Sequence, residues 1–168
     1  MAISMYQASV PVFVKTLGNL SAILDKAAIF AAAKKVNESV LLGSRLTPDM
    51  FSFARQVQQA TVHAKGAAAR LAGMEPPAID STGESIAEYK ACIDKVIDFL
   101  KTLKAEQIDG SEGRDVTLKL GPNTVAFKGQ AYLLHFALPN FFFHVTTAYA
   151  ILRHDGVELG KQDYIGRD

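Results

Sequence analysis

The side chains best suited to chemistry in this chain are its four imidazoles, His63, His135, His144 and His154. An imidazole can serve as a base, a hydrogen-bond partner or a metal ligand near neutral pH. His154 ends a predicted helix, where the dipole favours a cation, and reads as a cap. His135 stands in an apolar stretch ahead of Pro139 and reads as a core histidine bonded to backbone. His63 and His144 are the candidates for a site. On a helix, residues seven apart return to nearly the same face. Counting by sevens from His63 reaches Gln56, Asp49 and, forward, Arg70, a polar stripe beside an apolar seam. Arg70 by itself reads as a solvated flank. His144 shares its face with Asn140, Thr147, Ala148 and Ile151, in a segment so apolar that an unpaired imidazole would be costly. His63 can be its partner, directly or through a metal or water, since facing helices of bundles build metal sites from inward imidazoles. Where a metal is shared, its predicted ligands are His63 and His144. Asp49, Gln56, Thr147 and Tyr149 are the predicted ligand-binding neighbours.

Other chemistries find little support. Cys92 lies beside an apolar seam with no activating neighbour and reads as core. No Gly-rich phosphate loop, Cys-x-x-Cys pair or nucleophile elbow is present. Glu84 and Glu88 fall in the first turn of a predicted helix, where acids complement the dipole. The 168 residues carry 18 basic and 17 acidic side chains, interspersed, for a net charge of +1. That balance argues against a nucleic-acid partner or a membrane surface. The longest apolar stretch, 131–152, is interrupted by His135, Pro139, Asn140 and His144, so it reads as protein core and not as a lipid-facing span. One cysteine excludes an intrachain disulfide framework and fits a reducing, cytoplasmic compartment. The length fits one domain, 1–168.

The elements that must position the imidazoles are helices. Residues 6–35 repeat apolar side chains at three- and four-residue spacing, with Pro11 in or near the first turn. A connection follows over 37–45. Thr47-Pro48-Asp49-Met50 carries start signals for a second helix running to Ala72: an N-cap threonine, proline at the first position, an acid in the first turn. Its seam of Met50, Ala54, Val57, Thr61, Ala64, Ala68 and Leu71 is narrow enough for close helix approach. Ser81-Thr82-Gly83-Glu84 resembles a capping box ahead of a third helix with Ile86, Tyr89, Ile93, Val96, Leu100 and Leu103 on one face. The period changes to two over Val116–Leu120 and again over Thr124–Lys128, separated by Gly121-Pro122-Asn123, which predicts a β-hairpin leaning on the helices. Residues 131–138 are ambiguous because Leu138 precedes a proline and is pushed from helical angles. Pro139 opens the last helix, apolar nearly all round and so buried, ending at Arg153, His154 and Gly156. Val14, Ile23 and Phe30 lie off the main seam of the first helix, a surplus apolar stripe that predicts a homodimer.

The phrases Arg45-Leu46-Thr47-Pro48-Asp49-Met50, Gln56-Val57-Gln58, His63-Ala64-Lys65, Arg70-Leu71-Ala72-Gly73 and Pro139 through Tyr149 resemble a bacterial domain family of unassigned activity. That family is grouped with the DinB/YfiT-like helical bundles, and the likeness extends to the tail Gly156–Lys161. The resemblance implies an all-α, up-down-down-up four-helix bundle with a small hairpin between helices three and four, often dimeric. It also implies a divalent metal site, Zn, Ni or similar, using one histidine of the second helix and an i, i+4 pair of the fourth. His63 and His144 match two of these positions. The third is Ala148, which has no donor atom. The expected function is thus that of a helical bundle with a partial or degenerate His site for a metal or small molecule between helices two and four. The alternative is a metal-dependent enzyme of thiol-transferase or hydrolase type acting through a metal-bound water.

Overall fold

The computed structural model describes residues 3–166, with Leu120 described through its backbone alone. The chain forms α1 (Val10–Lys34), α2 (Glu38–Gly43), α3 (Phe53–Leu71), α4 (Ile86–Thr102), α5 (Ala105–Ile108), β1 (Asp115–Leu120), β2 (Asn123–Lys128), α6 (Gly129–Tyr132), a π-helical turn (Leu133–Ala137), α7 (Leu138–His154) and α8 (Lys161–Ile165). It is mostly helical, with one small antiparallel hairpin. Four helices are long: α3 packs on α7 and α4, and α1 packs on α4, with smaller contacts to both α7 and α3. Together they enclose one apolar cluster in which Phe13, Leu17, Leu20, Leu24, Phe53, Ile93, Leu100, Phe141 and Ile151 are fully buried. Ala60, Ala64, Ala67 and Ala68 are fully buried along α3, the helix that carries His63 and packs on α7.

Two predicted helix starts shift, each because a side chain finds a different partner. The second long helix begins at Phe53, not at Pro48. The Thr47 hydroxyl donates to the Asp49 carboxylate at 2.6 Å, leaving the capping role to Ser52, whose oxygen accepts from the Arg55 N–H at 3.4 Å. Residues 47–50 instead close a turn, Met50 N–H to Thr47 carbonyl at 3.1 Å. The third long helix is capped four residues later than predicted. Ser85 accepts from the Glu88 N–H at 3.3 Å while the Glu88 carboxylate accepts from the Glu84 N–H at 2.8 Å, a capping-box pair displaced from Ser81 and Glu84. The connection at 37–45 contains α2, capped by the Asn37 side chain.

The largest departure is at residues 129–154, which run as one helical stretch. Leu138 takes helical angles, φ −63° and ψ −46°, despite the proline after it. A proline ring inside a helix collides with the carbonyl four residues back, here His135. The π turn relieves this by widening the helix just before Pro139: the Leu138 N–H reaches back five residues to the Leu133 carbonyl. The Asn140 side-chain amide donates to the Phe136 carbonyl at 2.7 Å, securing the same junction.

The hairpin pairs Asp115 with Lys128 through Leu120 with Asn123, so its loop is Gly121-Pro122. Gly121 has φ +60°. Proline at the second loop position cannot take a positive φ, which leaves the II′ geometry that matches strand twist. Val116 and Leu118 are buried in the common core, and Phe127 packs its ring on Tyr132 and Phe136 at 6.0 and 5.4 Å. The hairpin therefore shares the helical core.

A candidate ligand cleft between α3 and α7

A cleft of about 570 Å³ opens beside the contact of α3 with α7. Helix α3 contributes Gln59, Val62, His63 and Arg70; the run through the π turn contributes Tyr132, Phe136, Asn140 and His144; β1 contributes Leu118 and Lys119; Phe51 closes it from the turn before α3. Tyr132, Phe136, Asn140 and His144 are four residues apart. In an α-helix each such step drifts about 40°. The wider π turn offsets part of that drift and helps keep the four residues on one cleft.

His144 is buried, and its Nδ1 lies 2.7 Å from Gln56 Oε1, itself almost fully buried. The Gln56 amide nitrogen lies 3.3 Å from the Phe51 carbonyl, which identifies the oxygen as the atom facing His144. Nδ1 of His144 therefore donates, and Nε2 carries the lone pair. The His63 ring lies 5.4 Å from that of His144 at 19°, and the Phe51 ring 6.4 Å away at 16°. Phe136 stands 6.0 Å from His63. Burial lowers the pKa of both histidines. His63 falls from 6.5 to about 4, by desolvation first and then by the nearby His144 and Arg70. His144 is lowered by desolvation and by Arg55. At neutral pH the cleft thus holds two uncharged imidazoles. Arg70 donates to the Tyr132 hydroxyl at 3.3 Å.

Gln56, His63 and His144 come together, with Gln56 as the hydrogen-bond partner of His144 that His63 was expected to be. Asp49 lies outside α3, fully exposed, its carboxyl held below the ordinary range chiefly by the Thr47 hydroxyl. Thr147 is buried but donates to the Phe143 carbonyl at 2.7 Å within α7. Tyr149 packs edge-on against Tyr164 at 6.1 Å. None of these three lines the cleft. His135 is exposed, not a core residue, and His154 is exposed at the end of α7. Among the described residues no group of three or more His, Cys, Asp or Glu side chains is placed to hold a metal. The sequence reading missed Phe51, Leu118, Lys119, Tyr132 and Phe136, and it set Arg70 aside. The four-residue spacing of Tyr132, Phe136, Asn140 and His144 was the available signal, obscured by reading a helix boundary at Leu138.

Residues 5–165 match the family described as Domain of unknown function (DUF1993). No curated protein matches the chain. Among solved structures it is similar to the crystal structure of a DinB family member protein from Shewanella denitrificans, at 39% identity and a TM-score of 0.86, over 97% of this chain and 92% of that one. The burial pattern, the α3–α7 contact and these likenesses lead to one assignment: the chain belongs to the DUF1993 family, a family of the DinB-like superfamily.

Proposed function

We propose that the protein is a small-molecule-binding bundle whose cleft between α3 and α7 retains a partial imidazole site. The observation that carries this reading is the pairing of His144 Nδ1 with Gln56, which presents Nε2 beside a second neutral imidazole in a roomy, aromatic-walled cleft. A binding cleft of this kind is concave, mainly apolar and carries a few placed polar groups. The residues present do not fit a tightly held divalent ion. Ala148 occupies the position four after His144, fully buried, and neither Asp49 nor His135 reaches the cleft. Two imidazoles would leave most of a metal's coordination to water. Enzymatic use of a metal-bound water, the alternative reading, lacks its third protein ligand among the described residues.

The same reading takes residues 1–168 as one domain, its helices α1, α3, α4 and α7 running up-down-down-up. It also takes the protein as bacterial, cytoplasmic and homodimeric. The free, buried Cys92 fits a reducing compartment, and no helix among the described residues is long and apolar enough to cross a membrane.

Thermal-shift screening of a fragment library against wild type and Val62→Trp tests the cleft. Val62 lines it while 38% exposed, so the indole fills the cleft without entering the core. Fragments are expected to stabilise wild type and to lose that effect in the variant; equal shifts in both place binding elsewhere and refute the reading. Parallel Zn²⁺ titration of wild type and His63→Ala is expected to show weak binding that disappears in the variant.

A further inference from the structure

Two charged side chains line the cleft, Arg70 and Lys119, and both are cations; no Asp or Glu lines it. Neither takes part in an ion pair among the described residues. The Arg70 guanidinium is half-buried, and its hydrogen bond goes to a neutral phenol. A guanidinium held against aromatic walls without a counter-charge is matched by a planar anion that can accept two parallel N–H donors.

A second observation concerns the residue one turn before it. Gly66 lies buried inside α3, where glycine weakens a helix. A Cβ added there would stand 2.5 Å from Arg70 Nη1, and its three nearest neighbours all belong to the Arg70 guanidinium. The space left by the missing side chain at 66 is the space in which that guanidinium lies back along α3. Gly66 thus leaves the room in which the cation lies.

Building on the cleft reading above, we infer that the ligand is a small organic monocarboxylate with a flat apolar body. Its carboxylate sits on Arg70, and its body lies against Tyr132 and Phe136. The far end meets the imidazole pair. The guanidinium lies back beside Gly66, three residues from His63, or about 4.5 Å along the helix axis, so the body between the two ends is short. The uncharged imidazoles offer lone pairs, so that end suits a hydroxyl donor. Lys119 adds positive potential at the mouth.

The test uses benzoate, cinnamate and 4-hydroxycinnamate, each beside its uncharged amide, titrated into the full chain while the ring resonances of His63 and His144 are followed by NMR. The acids are expected to bind at least tenfold more tightly than their amides, 4-hydroxycinnamate most tightly. Arg70→Gln is expected to erase the acid-over-amide preference. Gly66→Ala is expected to weaken acid binding severalfold with an unchanged or raised Tm, a split that a merely structural glycine would not give. Should Arg70→Gln fail to fold, Gly66→Ala decides alone. Amides binding as tightly as acids, or acid affinity unaffected by both variants, overturns the carboxylate inference and leaves the cleft as a ligand site. If neither acids nor amides move the two imidazole resonances, the cleft reading falls as well.

Discussion

Replacing Gln56 by Met tests the hydrogen bond on which the site depends. Met has nearly the volume of Gln, so the substitution removes polar atoms without opening a cavity. It leaves the buried His144 Nδ1–H, now paired at 2.7 Å, without an acceptor, and strips the Phe51 carbonyl of its donor at 3.3 Å. A buried group left unsatisfied costs about 1–3 kcal/mol. Phe51 is 47% exposed, so its carbonyl can turn to water, and we expect about 2 kcal/mol in total from the stranded imidazole N–H. For a chain of this size that lowers Tm by about 4–8 °C. His144→Phe alone strands Gln56 Oε1 and should cost a similar amount. In the double variant both polar partners are gone and the two new side chains are apolar, so its loss should be well below the sum of the single losses. The assay is urea denaturation of all four proteins followed by circular dichroism at 222 nm, read as a double-mutant cycle. A coupling of about 1 kcal/mol or more is expected between residues in one buried hydrogen bond. Additive single effects would falsify the pairing and, with it, the assignment of the His144 lone pair to Nε2.

Three further outcomes follow from the same structure. His63 has a folded pKa lowered from 6.5 to about 4, so the unfolded chain binds more protons between those values. Stability should therefore be fully present above pH 6.5, decline as pH falls toward 4, and level off below; His63→Phe should flatten that decline in a pH series of urea melts. Gly129→Ala should destabilise by about 1–3 kcal/mol, because an added Cβ would overlap the Ser111 carbonyl oxygen, which belongs to backbone and cannot swing aside; a wild-type Tm would refute that close approach. Light scattering at micromolar concentration should give about twice the 18.2 kDa chain mass. Ile23, expected on a dimer face, is fully buried in the core, whereas Ile29 is 69% exposed, so Ile29→Glu is the variant expected to yield monomers; a wild-type monomer across concentrations rules out the dimer.

What the sequence determined by itself was set by local period and local partners. The apolar spacing of α1, α3 and α4 placed three helices, because an amphipathic stripe needs no knowledge of what it packs against. Alternation about Gly121-Pro122 placed the hairpin for the same reason. His63 and His144 were legible as candidates because each sits beside an apolar seam, and burying a polar group demands a partner whatever the fold. Which partner it finds is a distance in space, and only the tertiary structure decided that. Gln56 reaches His144 because α3 packs on α7, leaving His63 stacked alongside. Asp49 kept its place in the sevenfold count but lost it in the fold, since Thr47 bonded its carboxylate and the helix began at Phe53. The continuation of the helix through Pro139 depends on a π turn whose N–H reaches back five residues, a choice that the proline alone argues against. Tyr132, Phe136 and Lys119 joined the cleft because that continuous helix and the hairpin pack beside α3. Local rules act through neighbours in the chain, whereas a site is assembled from groups the chain separates by as many as 88 positions.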